Sequence, residues 1–271
     1  MDRYAVIGNP VSHSLSPAIH SHFARQLGEP VEYTALLAPL DDFAGSARRF
    51  FDGGGRGANV TLPFKLDAFR FAAHASERAL LAGAANFLAA EEQGIRADNT
   101  DGIGLVADLR ENLRVDLAGS RILILGAGGA ARGVVAPLLE ANPRRLVIAN
   151  RTAERARELA QRFAAKGRVE AAALGNIPEG DFDLVLNATS TSTHGEPLVL
   201  PDHALKPGAL AYDMAYGPGA ASFLSHARER GMKASDGLGM LVEQAAESFF
   251  LWRGVRPQTA PVLAMLRRKS A

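Results

Sequence analysis

Arg121-Ile122-Leu123-Ile124-Leu125-Gly126-Ala127-Gly128-Gly129-Ala130-Ala131 carries an apolar strand into a glycine turn and on toward a helix. The turn fits G-x-G-x-x-[GA], with Ala131 in the third slot. Gly126 permits the tight turn, and Gly128 lets the backbone approach a pyrophosphate. A small third residue lets the helix pack close on the strand, and the amino end of that helix attracts phosphate. Such a motif alone is a weak signal. Here it follows an apolar strand and opens a helix, which is the context that supports a dinucleotide site over a plain glycine turn.

Downstream, a helix to about Glu140 and a strand at Leu146–Ala149 complete a βαβ unit. Further strand signals at Val169–Ala173, Leu184–Asn187 and Leu210–Asp213 predict a mostly parallel sheet with helices on its faces. An NAD site usually places a carboxylate after the second strand to bind the ribose 2′-hydroxyl. This chain has Asn150-Arg151-Thr152 there, with Arg155 one helical turn further. A carboxylate would repel a 2′-phosphate, whereas guanidinium groups bind it through charge-assisted hydrogen bonds. The cofactor reading is NADP(H); the alternative is that Arg151 and Arg155 are merely solvated.

Upstream, strand and helix signals alternate. Strands are expected at Tyr4–Gly8, Val31–Ala38 and Ala58–Thr61, and a hairpin at Ala85–Ala90 and Ile95–Asp98 about a Gln93-Gly94 turn. Helices are expected from Ser16 to Leu27, with Ser16 as N-cap and Pro17 at N1, and over Asp41–Phe51, Phe64–Ala73 and Glu77–Leu81. The spacing of apolar residues predicts one more over Thr100–Arg114, linking the halves, and two at the end over Leu238–Trp252 and Thr259–Arg268. The expected fold is α/β in two domains. A substrate domain spans residues 1–101 plus the C-terminal helices 238–271, and a Rossmann-type NADP domain spans 102–237.

Composition narrows the function. A net charge of +1, with both signs mixed throughout, leaves no footprint for nucleic acid or an anionic membrane. Zero cysteines exclude disulfides and thiolate metal sites. Met1-Asp2-Arg3-Tyr4 runs straight into a strand, unlike a signal peptide, and no apolar run reaches the roughly 18 residues of a membrane span. A cytoplasmic location is expected, with a small molecule as partner, as monomer or homodimer. His20 and His22 are two apart on a helix with no carboxylate cluster, so no metal is expected and both read as exposed or half-buried structural residues.

Only five of the 30 basic residues are lysine, at 65, 166, 206, 233 and 269. Lysine, unlike arginine, can serve as acid or base near neutral pH. Lys65 closes Asn59-Val60-Thr61-Leu62-Pro63-Phe64-Lys65, beside two short polar side chains. Two other loops concentrate polar groups, Ser12-His13-Ser14-Leu15-Ser16 and Asn99-Thr100-Asp101-Gly102, and Asn86 sits in the hairpin. Hydroxyls, amides, a lysine and an aspartate suit a small polyhydroxylated acid.

Taken in order along the chain, these segments closely resemble the shikimate dehydrogenase family. The resemblance also covers Ser16-Pro17, Asn187-Ala188-Thr189-Ser190, Tyr212-Asp213-Met214-Ala215-Tyr216, and Asp236-Gly237-Leu238-Gly239-Met240 with Gln244 beyond. It implies reduction of 3-dehydroshikimate to shikimate by NADPH, with Lys65 and Asp101 as the catalytic pair. It implies that Ser14, Ser16, Thr61, Asn86, Tyr216 and Gln244 hold the substrate, with Asn59 supporting them from the strand end. For the cofactor it implies Glu77, Gly126, Ala127, Gly128, Gly129, Ala130, Asn150, Arg151, Thr152, Arg155, Thr189, Met214, Gly237 and Met240. The active site is expected in a cleft between domains that closes over substrate. Two departures stand out. Phe87 follows Asn86 where family members commonly have threonine, either facing the site or filling the core, and the loop Thr191–Pro197 is variable. Two alternatives stay open: a quinate/shikimate dehydrogenase using NAD, and a non-catalytic NADP-responsive binding protein on the same fold.

Overall fold

The computed structural model describes residues 1–189, 202–204 and 206–270, apart from the side chains of Asp202, Lys269 and Ser270. Ser190 and the loop Thr191–Pro197 lie outside the described residues. The chain divides into two compact units, Met1–Gly104 with Leu241–Ala271, and Leu105–Met240.

The first unit is built on β1 (Asp2–Gly8), α1 (Ser16–Leu27), β2 (Val31–Leu37), α2 (Phe43–Asp52), β3 (Gly55–Val60) and α3 (Lys65–Phe71). It continues through β4 (His74–Ala75), α4 (Glu77–Ala82), β5 (Phe87–Glu91), β6 (Gly94–Asp98) and the start of α5 (Asp101–Ala107). Its sheet has the order β2-β1-β3-β5-β6-β4. The first three of these pair in parallel, and the β5–β6 hairpin joins β3 antiparallel. Ala5, Ile7, Ala58, Val60 and Leu88 supply one sheet face, and Phe43, Phe50 and Phe64 cover it. Burial of this apolar surface is the principal stabilising term for the unit.

The second unit contains β7 (Arg121–Leu125), α6 (Gly129–Glu140), β8 (Arg145–Asn150), α7 (Ala153–Arg162), β9 (Val169–Ala173) and β10 (Leu184–Asn187). After them come β11 (Leu210–Asp213), α8 (Ala221–Glu229) and β12 (Lys233–Asp236). All six strands are parallel, in the order β12-β11-β10-β7-β8-β9. This is a doubly wound Rossmann sheet, whose strand order reverses between β7 and β10. Strands buried on both faces read as continuous apolar runs, as Ile122–Leu125 and Leu184–Leu186 do. The chain returns to the first unit within α9 (Leu238–Arg253) and ends in α10 (Ala260–Ser270).

Some expectations change. Ser16 is the first residue of α1 rather than its cap: Leu15 holds the cap position, and the Ser16 N–H donates to Ser14 Oγ at 3.3 Å. The helix expected over Thr100–Arg114 becomes α5 followed by a π-turn at Asp108–Asn112, because the Leu113 N–H reaches five residues back to Asp108. The Asp108 carboxylate accepts from Tyr212 at 2.6 Å and from Asn112 at 2.9 Å, which holds that turn in place. His22 is half-buried, but His20 is fully buried. The His20 ring stacks on Tyr33 with centroids 4.1 Å apart, and neither ring nitrogen has a hydrogen-bond partner. Burial pushes its pKa down to about 3, against a weaker opposing pull from Asn59.

Candidate active site

In the first unit, Lys65 opens α3 and Asp101 opens α5. Their side chains are 14% and 5% exposed, and Lys65 Nζ donates to Asp101 Oδ2 at 2.5 Å. The Lys65 carbonyl accepts the Ala85 N–H at 2.8 Å, tying α3 to the approach of the hairpin. The other Asp101 oxygen accepts from Asn86 Nδ2 at 3.0 Å. The same amide nitrogen lies 3.0 Å from Gln244 Oε1, while Asn86 Oδ1 accepts the Thr100 N–H at 2.7 Å. Lys65, Asp101, Asn86 and Gln244 therefore form one hydrogen-bonded group drawn from four segments. Gly104 makes this possible, because a Cβ there would sit 2.6 Å from the Gln244 backbone nitrogen. A side chain at 104 would hold α5 and α9 apart.

Asn59 ends this chain of contacts on the β3 side. Its Oδ1 accepts from the Tyr33 hydroxyl at 2.8 Å, and its Nδ2 donates to Asn86 O at 3.2 Å and Ser248 Oγ at 2.9 Å. Both amide protons are thus committed within the protein. Burial holds the Tyr33 phenol well above its ordinary pKa, which keeps it a donor. Ser14 is half-buried and Ser16 buried at the start of α1, and Thr61 is half-buried after β3 with its N–H on Ile7 O. Phe87 faces the core: it is fully buried and stacks on Trp252 with centroids 5.0 Å apart. It fills the core and leaves the site's polar group untouched.

A second polar group was not anticipated. Asp98 is buried and accepts from Arg78 at 2.8 and 3.0 Å, from Arg96 at 3.1 Å, from Ser76, and from the Asn99 N–H at 2.7 Å. Burial alone would raise its pKa, but the Arg78 hydrogen bonds and charge bring it below the ordinary value. Asn99 in turn accepts the Asp101 N–H at 3.1 Å, so this anion anchors the segment that presents Asp101. Its only signal in the sequence is its place directly before Asn99-Thr100-Asp101.

The second unit gathers the glycine loop and the carboxyl ends of its strands. Gly126 has φ +104°, and a Cβ there would lie 2.9 Å from Ala188 O, across the point where the strand order reverses. Gly128 caps α6 with no side-chain cap and with open space where a Cβ would project. An uncapped helix end facing open space fits the pyrophosphate of a dinucleotide. Ala127 is buried; Gly129 and Ala130 form the first turn of α6. After β8, the Asn150 amide closes onto Thr152 O at 2.9 Å. Arg151 and Arg155 are exposed beyond it, with no ion pair among the described residues. Two free guanidiniums beside the second strand fit a 2′-phosphate.

Three buried or half-buried side chains shape the remaining loops. Asn187 accepts from the N–H and hydroxyl of Thr189 at 3.1 and 2.7 Å, and donates to Asp213 at 2.9 Å. Asp213 also accepts the Ala215 N–H, and Asp236 accepts those of Gly217 and Leu238. Met214, Tyr216 and Gly237 belong to these loops, and Met240 lies in the first turn of α9. Glu77 is exposed in the first turn of α4, in the first unit. Among the described residues, no group of acidic or histidine side chains is placed to hold a metal, and no helix is long and apolar enough to cross a membrane.

Comparison with known proteins gives consistent matches. Residues 6–88 match the shikimate dehydrogenase substrate binding domain, 108–201 the shikimate/quinate 5-dehydrogenase model, and 237–267 the shikimate 5′-dehydrogenase C-terminal domain. Shikimate dehydrogenase (NADP(+)) of Cupriavidus necator is 54% identical, covering 98% of this chain and 93% of its own. The Nitrosospira multiformis protein of the same name is 54% identical over 98% and 97%. Among solved structures, an enzyme from Pseudomonas putida superposes with TM-score 0.91 at 48% identity, covering 98% of both chains. Shikimate 5-dehydrogenase from Thermus thermophilus, in complex with NADP(H) and shikimate, gives 0.85 at 33% identity over 99% of both. With relatives this similar along nearly its whole length, the chain belongs to the shikimate dehydrogenase family.

Proposed function

We propose that this chain catalyses the reversible, NADPH-dependent reduction of 3-dehydroshikimate to shikimate, in the cytoplasm, as a step toward the aromatic amino acids. The observation that carries the reading is the half-buried Lys65–Asp101 pair at 2.5 Å, joined through Asn86 to Gln244. When bound, NADPH supplies the hydride. Reduction of a ketone develops negative charge on its oxygen, which needs a proton and electrostatic stabilisation. An ammonium has three protons, and Lys65 shares one with Asp101 in a hydrogen bond without losing it. Another is given to the substrate oxygen, and in the reverse direction the lysine receives it back. Asp101 orients the lysine and accepts a substrate hydroxyl.

Ser14, Ser16, Thr61, Asn86, Gln244 and, from the second unit, Tyr216 hold the carboxylate and remaining hydroxyls. Asn59 acts behind them, since its amide protons are already used. Such a site discriminates strongly, because a substrate lacking a hydroxyl leaves buried groups unpaired. The first unit is thus the substrate domain. In the second, the glycine loop holds the pyrophosphate, while Arg151, Arg155 and Thr152 hold the 2′-phosphate. Thr189, Met214, Gly237 and Met240 line the cofactor with Glu77.

The test is the rate of NADP reduction with shikimate, set against quinate and against NAD. Shikimate with NADP should give the highest kcat/KM. A preference for NAD or for quinate would move the chain to the broader quinate/shikimate activity. Absence of turnover with every cyclic hydroxy acid would leave a binding protein.

A further inference from the structure

We propose that Ser248, fully buried on α9 one turn beyond Gln244, is a positioning residue of the substrate site. This rests on the function proposed above. A proton inventory carries it. A serine hydroxyl has one proton and two lone pairs. The proton of Ser248 goes to the Gln244 carbonyl at 2.9 Å. Both lone pairs are then left to accept, and two donors face them: Asn59 Nδ2 at 2.9 Å and the Thr100 hydroxyl at 3.2 Å.

The consequence follows group by group. Asn59 Oδ1 is taken by Tyr33, and its two protons go to Asn86 O and Ser248. Thr100 has other acceptors for its proton, Gln244 Oε1 at 3.2 Å and Asn86 Oδ1 at 3.3 Å, both belonging to the substrate-holding amides. Drawing that proton to Ser248 leaves those two oxygens free of it. Ser248 therefore decides which way Thr100 points and fixes the amide of Asn59, while touching neither Lys65 nor Asp101. It unites β3, the Thr100 segment and α9 at one oxygen. Without it, one buried amide proton is orphaned and Thr100 turns onto Gln244 or Asn86, misorienting groups that read substrate hydroxyls.

The test compares Ser248→Ala, Ser248→Cys and Ser248→Thr with the wild-type enzyme. Alanine and cysteine should raise KM for shikimate about 10-fold, the loss of one buried hydrogen bond, while kcat stays within about 3-fold. Threonine retains the hydroxyl and should restore most of the affinity. Affinity for NADP, to which neither Ser248 nor its hydrogen-bond partners are assigned, should not move in any variant. An Asn59→Ala/Ser248→Ala double variant should lose no more than the worse single variant, as residues acting in series do. Cysteine preserves volume, so it decides the matter if alanine fails to fold. An unchanged KM in Ser248→Cys, or equal losses in kcat, KM and NADP affinity, would overturn the assignment. One readout is independent of turnover: hydrogen exchange of the Asn59 side-chain amide should be slow in the wild type and fast in Ser248→Ala. Slow exchange in both would also overturn it, whatever substrate the wild-type enzyme proves to use.

Discussion

In the first unit the proposed substrate groups are fastened to one another side chain to side chain: Lys65 to Asp101, Asp101 to Asn86, Asn86 to Gln244, Asn59 to Ser248. In the second, the cradle proposed for the pyrophosphate is main chain, and side chains, Arg151 and Arg155 above all, are left the 2′-phosphate. Gly126 turns beneath Ala188, Gly128 leaves the amino end of α6 uncapped, and Asn187, Asp213 and Asp236 fold the strand-end loops by holding backbone N–H groups. The difference teaches where each unit is vulnerable. A network of side chains is lost by removing an atom; a main-chain cradle is lost by adding one.

The sharpest way to break the contrast is Lys65→Ala. It should lower kcat by about 100- to 10,000-fold, the usual worth of a general acid–base group. Stopped-flow NADPH binding should meanwhile be unchanged and shikimate KM little moved; near-normal turnover would end the assignment. The opposite experiment adds a methyl group. Gly126→Ala meets both the positive φ and Ala188 O, a strain of about 1–3 kcal/mol, or roughly 10- to 100-fold in NADP affinity. Shikimate affinity should stay put, and if both fall together the two sites are not separable in this way. Next in size is Arg151→Ala, expected to cut the NADP-over-NAD preference in kcat/KM by about 10-fold, one charge-assisted bond. An unaltered preference would leave Arg155 alone with the phosphate.

The smallest effect tests stability. His20→Phe removes two buried, unpartnered nitrogens and should raise stability by about 1–3 kcal/mol in urea unfolding. Its pH dependence has a defined sign. His20 is neutral when folded, with a pKa near 3 against an ordinary 6.5, so below pH 6.5 the unfolded chain binds the extra proton. Stability should therefore be complete above pH 6.5 and fall toward pH 3, with a slope of up to about 1.4 kcal/mol per pH unit. The phenylalanine variant should show a shallower slope. An identical slope would assign the acid sensitivity to other groups.

How much of this was legible beforehand depended on distance along the chain. β7, the glycine turn and α6 are contiguous, and burial on both faces writes β7 and β10 as apolar runs. β12 was not foreseen because Lys233-Ala234-Ser235-Asp236 lies at a sheet edge and carries no such run, and β4 is two residues long. α8, with only Phe223, Leu224 and Ala227 buried, has too thin an apolar stripe to announce itself. Within the site, Lys65 and Asp101 stand in dense local motifs. Ser248 lies 189 residues from Asn59, and a lone serine on an apolar helix has no pattern to mark it. Tyr33 and His20 were hidden likewise, since burial and stacking depend on tertiary neighbours. Phe87 could be recognised as unusual, yet only the Trp252 stack shows which way it faces.

The division of the chain also sets an order of assembly. Leu105–Met240 is a single uninterrupted stretch that divides the sequence of the first unit, whose other piece, Leu241–Ala271, follows it along the chain. During synthesis from the amino end, the nucleotide unit has its full sequence before Gln244, Ser248 and Trp252 exist. The nascent protein can thus complete its cofactor fold while Asn59, Asn86 and Phe87 still wait for their partners. A ribosome stalled soon after Met240 would hold a chain equipped for NADP and unfinished for substrate.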